Sequence, residues 1–320
     1  MIDKVLQTIR PIARSIKYGR LLRRAQKDAQ KEKIPALQNP VSFIFGCGRS
    51  GTTILGKLLA DHPKICYLFE PYHTWRAILP STDMILLYGE TEIGSHCILS
   101  NDCITKNEIQ RFNACMQSEL KRSGDTSFTL IEKTPINAMR ISMLSELSPR
   151  SPMLHLVRNG IDVVRSIDRL ASTNTYQMSG KGDWNQWWGR DLCKWKSLAT
   201  DSIANDYFSD EIAQLSTNLE MGALEWLVSL SEINKYLELL GDRLIEVRYS
   251  DLTSNSEDQL ARICSHFKIE PDPSWIRQSC DKLDNARKNQ GQPLALPPKM
   301  CRAFNELQDH YGFEGHAVEK

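Results

Sequence analysis

The chain has 320 residues, 41% of them hydrophobic and 25% charged, and carries a formal net charge of +1. That length is enough to bury one large core or two small ones, and the balance is ordinary for a globular protein rather than a disordered one. The near-zero charge argues against a globally basic nucleic-acid binder, so we predict no nucleic-acid partner.

The cysteines indicate a reduced protein. Nine of them are scattered without zinc-type spacing and, because the count is odd, they cannot all pair within one chain. Such cysteines are usually free, so we expect a cytoplasmic protein with no metal site, although Cys97 and Cys103 could close a small disulfide. No apolar run approaches the ~20 residues that a membrane-spanning helix needs, and the N-terminus lacks the apolar core of a signal peptide.

Residues 1–33 are strongly basic, with ten Lys or Arg against three acids. Their apolar residues recur at partly helical spacing, which predicts an amphipathic helix, or two helices separated at Pro11. The segment could make a peripheral contact with an anionic membrane surface, but a solvated helix packed loosely on the domain is the simpler interpretation. Two prolines in residues 34–40 indicate a linker, so we divide the chain into an N-terminal segment, residues 1–40, and one domain, residues 41–320.

Residues 41–53 read as a strand, a tight loop and the start of a helix. Glycines in the loop, among them Gly46 and Gly51, allow successive N–H groups to converge on one anion at the positive end of the helix. These two glycines have the spacing of a P-loop, but Thr52 stands where the nucleotide-binding lysine would be, and Arg49 lies inside the loop. An ordinary strand-to-helix turn is the alternative; the pattern favours a phosphate or sulfate site.

Charged side chains follow three of the next apolar runs, and helical periodicity follows each in turn. One helix is predicted at residues 137–147, and one long or two short helices at residues 212–240. Glu70, Lys133 and Arg158 come at or directly after the ends of predicted strands. The four strands after the loop are predicted at residues 65–69, 126–132, 152–157 and 243–249. This alternation predicts an α/β fold with a mostly parallel central sheet and helices on both faces. Because the carboxyl ends of parallel strands share one edge, where ligands bind, these charges are site candidates.

Arg158 is followed eight residues later by Ser166, just over two helical turns away. An arginine fork and a hydroxyl at this spacing could converge on a second anionic group. Alternatively, neither residue binds a ligand: the arginine is a surface charge at the edge of the sheet, and the serine is an exposed helix residue. A predicted surface loop follows at residues 173–190, rich in Gly, Ser, Asn and aromatic residues. Its rings either stack on sugar faces or form a small separate core.

Five motifs occur in a fixed order along the chain and coincide with the predicted strand ends. They are Gly-Cys-Gly-Arg-Ser-Gly-Thr-Thr at 46–53, Glu-Pro-Tyr-His at 70–73, Glu-Lys-Thr-Pro at 132–135, Leu-Val-Arg-Asn-Gly at 156–160 and Val-Arg-Tyr-Ser-Asp-Leu at 247–252. Together with Ser166, this order and spacing resemble the family of sulfotransferases that use 3'-phosphoadenosine 5'-phosphosulfate (PAPS), across about residues 41–270.

The resemblance implies a P-loop NTPase-like fold. It also implies PAPS as co-substrate and a two-part binding site for it, with no metal. The loop within residues 46–53 would hold the 5'-phosphosulfate, and Arg158 and Ser166 would hold the 3'-phosphate. Tyr249 would form a wall of the nucleotide pocket. The donor-binding residues implied in this way are Arg49, Ser50, Gly51, Thr52, Thr53, Arg158, Ser166 and Tyr249. Arg287 and Lys288 could belong to a basic segment that closes over the nucleotide.

The resemblance also implies catalytic roles for Glu70, Lys133 and Arg49. Glu70 matches the general base of carbohydrate-type members, and Lys133 matches a lysine that binds the transferring group or the leaving phosphate. Arg49 would supply the charge that other P-loop proteins draw from lysine. His73 is the rival base. The Glu-Pro-x-His pattern and the aromatic loop favour a sugar or glycoconjugate hydroxyl as acceptor.

Two other functions are compatible with the same fold. A P-loop kinase or NTPase would share the sheet, but Thr52 replaces its lysine, and Arg158 follows a strand that would end in a metal-binding aspartate in such enzymes. A catalytically inactive nucleotide-binding module is the other alternative. Glu70 and Lys133 argue against it, because binding alone does not need them.

Overall fold

The computed structural model describes residues 2–32, 37, 39–83, 94–173, 183–283 and 294–320. The strands are β1 Ser42–Phe45, β2 Ile65–Phe69, β3 Thr129–Lys133, β4 Met153–Val157, β5 Trp184–Asn185, β6 Gly189–Arg190, β7 Leu244–Arg248, β8 Ala295–Leu296 and β9 Val318–Glu319. The α-helices are α1 Ile2–Ala29, α2 Thr52–Ala60, α3 Tyr72–Ile78, α4 Lys106–Arg122, α5 Ile141–Leu147, α6 Gly160–Ala171, α7 Cys193–Ala204, α8 Asn218–Lys235, α9 Leu237–Leu240, α10 Tyr249–Ser254, α11 Ser256–His266, α12 Pro273–Cys280 and α13 Pro298–His310.

Five strands form a central sheet in the order β2-β3-β1-β4-β7. Every neighbouring pair is parallel. The predicted α/β fold with a mostly parallel sheet is confirmed. Since all five strands run in one direction, their carboxyl ends lie along a single edge, and the residues directly after each strand are brought to that edge.

Side chains of β1 alternate between the two faces of the sheet, and both faces are covered. Phe43 and Phe45 belong to the core that contains Trp75 of α3, whereas Ile44 points into the core that contains Leu55 of α2. All three strand residues are fully buried. A strand buried on both sides needs a continuous apolar run, which is why residues 42–45 read as such. Helices on both faces, as predicted, follow from this alternation.

The N-terminal segment forms one helix, α1, rather than two helices separated at Pro11. Tyr18, Ala25 and Ala29 are buried on its inner side, where α1 packs against α3 and α4. Near its end, Asp28 makes an ion pair with Arg122 of α4 at 2.8 Å.

One predicted helix is interrupted. The one expected at residues 137–147 is a 3₁₀ turn, Pro135–Met139, followed by α5. Arg140, fully buried between them, donates to the carbonyl oxygens of His96 at 2.7 Å and Thr82 at 3.2 Å, and this anchorage sets the break. Residues 212–240, predicted to form one long helix or two short ones, contain a 3₁₀ turn followed by two helices, α8 and α9.

Cys97 and Cys103 are both free, and Cys97 is buried. Tyr176 of the aromatic loop and the basic pair Arg287 and Lys288 lie outside the described residues. None of the helices described combines the length and the apolar character needed to cross a membrane. Among the same residues, no group of three or more His, Cys, Asp or Glu side chains has a metal-binding arrangement.

Candidate active site

The edge formed by the strand ends gathers the residues singled out in the sequence. β1 leads into the loop at residues 46–51, here called the glycine loop. Glu70 follows β2, Arg158 follows β4 and Tyr249 follows β7, while β3 ends on Lys133. The parallel register pairs the last residue of β2 with Lys133, so Glu70 is next to it. The polar groups of five separate chain segments therefore face one region.

The glycine loop turns sharply from β1 into α2. Gly46 and Gly51 have φ angles of 153° and 97°, and a Cβ at Gly46 would run into the carbonyl oxygen of Leu156 on β4. The first N–H groups of α2 have no carbonyl partners within the helix, so its positive end is open to an anion. Ser50 is buried, and its hydroxyl has no hydrogen-bond partner among the described residues. The loop thus presents unsatisfied donors.

Gly51→Ala is expected to destabilise the protein by two additive effects. The φ of 97° costs roughly 1–2 kcal/mol for an L-residue, and the new Cβ would also overlap the Tyr249 ring. Gly124→Ala is the matched control, because Gly124 has a φ of 91° but nothing within 4 Å of the added Cβ. Urea unfolding of both variants should show the larger loss for Gly51→Ala. Equal losses would mean that the loop does not pack against Tyr249.

Arg49, Arg158, Ser166 and Tyr249 form one cluster. The Arg49 Nε donates to Ser166 Oγ at 3.0 Å, and an Arg158 nitrogen donates to the Arg49 carbonyl oxygen at 3.3 Å. The Arg158 guanidinium lies 4.9 Å from the centroid of the Tyr249 ring. The sequence indicated two separate anion-binding sites, one in the glycine loop and one formed by Arg158 and Ser166. The structure joins them, with the Arg49 side chain turned toward Ser166.

Glu70 and Lys133 form a close ion pair on the other side of the loop. The Lys133 Nζ lies 2.5 Å from Glu70 Oε1 and donates to Thr53 Oγ1 at 3.3 Å. The other carboxylate oxygen of Glu70 accepts from the Tyr72 hydroxyl at 3.0 Å. Thr53, in the first turn of α2, therefore connects the loop to the ion pair.

Burial differs between the two partners of this pair. The Lys133 side chain is fully buried, while 21% of the Glu70 side chain is exposed. Burial lowers the pKa of Lys133 from its ordinary value, and the adjacent Glu70 carboxylate opposes that shift. The Glu70 backbone has a φ of 42° and its N–H donates to the Lys133 carbonyl at 2.8 Å. The lysine is thus held in place, and the carboxylate remains reachable from outside.

His73 faces away from this group. Its ring makes an edge contact with Tyr18 of α1, with 6.4 Å between centroids. Burial lowers the pKa of His73 to about 4, so the imidazole is neutral at pH 7. Its neighbourhood is the seam between α1 and α3 rather than the strand edge.

Glu132 is a second carboxylate beside Lys133, fully buried beneath the site. It accepts hydrogen bonds from the Trp75 indole at 2.9 Å, the Thr134 hydroxyl at 2.5 Å and the Asn137 amide at 3.1 Å. Burial raises the pKa of Glu132 from 4.5 to about 7, although these donors favour the anion. The folded protein therefore keeps a proton that the unfolded chain releases.

This raised pKa predicts a dependence of stability on pH. Between pH 4.5 and about 7 the folded state binds the extra proton, so this carboxyl favours folding at low pH and the contribution is lost as the pH rises through that window. Glu132→Gln mimics the protonated acid, and Asn137 Oδ1, which has no partner among the described groups, can accept from the new amide after a flip. Relative to the wild type, the variant should gain up to about 3 kcal/mol of unfolding free energy from pH 5 to pH 8. A flat difference would contradict the assigned pKa.

The aromatic loop supports the glycine loop from the side. Trp187 lies against Gly48, where any Cβ would meet its ring. The Trp187 indole donates to the buried Glu225 of α8 at 2.7 Å, and Lys194 makes an ion pair with Glu225 at 2.7 Å while lying 3.9 Å from the Trp187 ring centroid. Trp188 is fully buried. The sequence left two interpretations of these rings, stacking on a sugar or packing within the protein. Trp187 and Trp188 fit the second.

Sequence reasoning missed Tyr72, Glu225 and Lys194. Tyr72 lies inside the Glu-Pro-Tyr-His motif, so the motif was the available signal. Glu225 is one acid among the leucines of α8 and carries no local signal, because its partners are 31 and 38 residues away.

A model of the sulfotransferase family matches residues 40–273, which is most of the chain and includes every residue of the site. The chain belongs to the sulfotransferase family. The similarity found from the motifs is therefore confirmed at the level of the family.

Individual relatives of this sulfotransferase are distant. Nodulation protein NoeE of Sinorhizobium fredii is 29% identical over 138 residues, which are 40% of this chain and 30% of that protein. Among solved structures, the sulfotransferase domain of the Synechococcus PCC 7002 olefin synthase has a TM-score of 0.49 at 17% identity, covering 89% of this chain and 98% of that one. Sulfotransferase STF9 from Mycobacterium avium also has a TM-score of 0.49, at 12% identity, covering 89% and 79% of the two chains.

Proposed function

We propose that this sulfotransferase moves a sulfuryl group from PAPS to a hydroxyl group of a carbohydrate or glycoconjugate, with Glu70 as general base. Membership of the family supports sulfuryl transfer to a hydroxyl. The observation that carries the proposal is the ion pair of Glu70 and Lys133, which Thr53 connects to the glycine loop. A base and a cation thus lie side by side where an anionic donor would meet its acceptor.

The residues at the site fit a doubly anionic nucleotide. The buried Ser50 hydroxyl lacks a partner among the described residues, as an anion-binding group would before its ligand arrives. The open N–H groups of Thr52 and Thr53 would add to it at the 5' end. Arg158 and Ser166 would hold the 3'-phosphate, because guanidinium groups bind phosphate through paired N–H donors. Arg49, assigned from the motifs to the 5' end, would instead join them, since its side chain donates to Ser166. PAPS supplies an activated sulfuryl group on a phosphate leaving group.

Glu70 would take the proton of the acceptor hydroxyl as the new S–O bond forms and the bond to the phosphate breaks. A carboxylate has about four lone-pair sites, so the contacts with Lys133 and Tyr72 leave about two, enough for the acceptor. The partial exposure of Glu70 gives the acceptor access. His73 is a weaker candidate, since its ring contacts Tyr18 instead.

Lys133 would stabilise the negative charge that collects on the leaving phosphate. Its ammonium is fully buried and fixed between Glu70 and Thr53, so little reorganisation is needed during the reaction. Transfer of this kind should be loose and in-line, by analogy with phosphoryl transfer, which makes positioning and charge the main contributions of the enzyme.

The sugar acceptor is supported by the Glu-Pro-Tyr-His motif. Trp187 and Trp188 contribute less than the sequence suggested, because both are engaged in packing against α8 and the glycine loop. All nine cysteines are free, which agrees with a reducing compartment, so we also propose a cytoplasmic place of action.

Calorimetry with the desulfated product, 3'-phosphoadenosine 5'-phosphate (PAP), tests the donor part of the proposal. The intact protein should bind PAP at least tenfold more tightly than ATP, because only PAP offers a 3'-phosphate to Arg158 and Ser166. Preferential binding of ATP would favour a kinase or NTPase instead.

A further inference from the structure

The outer side of α1 is a basic surface that the site does not use. At 3.6 residues per turn, positions four, seven and eleven residues apart lie on one side of a helix. One such set is buried against α3 and α4 and contains Tyr18, Ala25 and Ala29. The set on the opposite side, here called the cationic face, is Ile16, Arg20, Arg23 and Lys27. Every member of the cationic face is exposed.

The charges on the cationic face do not hold the helix in place. Two other basic residues at the seam do: Arg24 pairs with Glu119 of α4 at 3.3 Å, and Lys31, just after α1, donates to the hydroxyl of Ser118 on α4 at 2.9 Å. By contrast, the three basic residues of the cationic face take part in no ion pair within the part of the chain that the structure describes. Their charge is available to a partner.

The single apolar member of the face narrows the choice of partner. Ile16 is 50% exposed and shares one side of α1 with the three cations and with no acid. An anionic bilayer accepts this combination, since its headgroup phosphates attract Lys and Arg while its acyl boundary takes aliphatic side chains. A nucleic acid would use the charges but not the isoleucine, and contacts to bases by aromatic rings, common in single-strand binding, have no counterpart on this face.

We propose that the cationic face of α1 binds the surface of an anionic lipid bilayer. α1 is fixed to the domain through α3 and α4. Binding therefore orients the whole protein, and α3, which starts two residues after Glu70, is the helix that connects the surface to the site. The proposal does not depend on the sulfuryl transfer proposed above.

Cosedimentation of the full chain with vesicles tests this proposal. The protein should bind vesicles of phosphatidylcholine with phosphatidylserine and not vesicles of phosphatidylcholine alone, and binding should fall as salt is added. Arg20→Glu with Arg23→Glu should reduce the partition coefficient at least tenfold, since each basic residue near an anionic surface contributes a factor of about five. Ile16→Ser, which keeps all charges, should reduce it several-fold.

A charge-matched control distinguishes the effect of the cationic face on vesicle binding from the effect of the total net charge. Lys268→Glu with Arg277→Glu changes the net charge by the same amount on exposed residues at α11 and α12. This pair should leave binding nearly unchanged. Equal losses from both pairs, equal binding to neutral vesicles, or binding to RNA but not to vesicles would each overturn the proposal. The salt dependence of the wild-type protein tests it even where a variant folds poorly.

Discussion

Glu70→Gln is expected to lower kcat for sulfuryl transfer by about 10²- to 10⁴-fold, the usual contribution of a general base. The amide keeps the shape of the side chain. Its oxygen can still accept from Lys133, while its NH2 group can donate to the Tyr72 hydroxyl, but it cannot take the acceptor proton. PAP affinity should stay within several-fold, because the Arg49, Arg158 and Ser166 cluster is separate from this group. Steady-state kinetics and calorimetry together measure the two effects.

Two neighbouring substitutions serve as controls for Glu70. Tyr72→Phe removes one hydrogen bond to the carboxylate and should cost at most about tenfold in kcat. His73→Gln should leave the rate nearly unchanged, since the ring packs against Tyr18. A large loss in His73→Gln, together with full activity in Glu70→Gln, would reverse the assignment of the base.

Arg158→Ala should weaken PAP binding by about 10- to 100-fold. Hydrogen bonds to charged groups contribute about 1.5–3 kcal/mol each, and this guanidinium also supports the Arg49 carbonyl and lies over the Tyr249 ring. The affinity for adenosine 5'-phosphosulfate, which lacks the 3'-phosphate, should change much less. Isothermal titration calorimetry with both nucleotides separates these outcomes.

Arg169→Ala is the control for this measurement. Arg169 is an exposed arginine at the other end of α6, so its removal changes the net charge equally. It should leave PAP affinity within about twofold. Equal weakening by both variants would mean that the charge acts at long range and that Arg158 is not a phosphate ligand.

Much of the fold could be predicted because apolar residues dominate the buried strands, although Glu132 in β3 and His155 in β4 are buried as well. Residues 42–45, covered on both faces, have no polar position beyond Ser42, and the charged residues Glu70, Lys133 and Arg158 mark the carboxyl ends of three strands. Parallel strands bring such positions to one edge whatever the order of the strands. Local pattern contains no information on that order, and β2-β3-β1-β4-β7 emerged only from the structure.

The parts of the site that escaped prediction depend on contacts between distant segments. Arg49 and Ser166 are 117 residues apart, and their hydrogen bond depends on how α6 lies against the glycine loop. The pair of Lys194 and Glu225 likewise depends on the packing of α7 and α8. Arg140 interrupts the helix predicted at residues 137–147. This interruption could not be predicted, because the partners of Arg140 are the backbone carbonyls of Thr82, His96 and Cys97, which have no recognisable side-chain pattern.

Transfer of radiolabelled sulfate from PAPS is the most direct test of the central claim. The intact protein is incubated with labelled PAPS and a broad panel of glycans and other hydroxyl compounds, and the labelled products are identified. The proposal predicts label on a carbohydrate hydroxyl, and its loss in Glu70→Gln. Label on a lipid or tyrosine hydroxyl instead would contradict the acceptor class. Tight PAP binding without transfer to any acceptor would contradict catalysis itself and indicate a nucleotide-binding module.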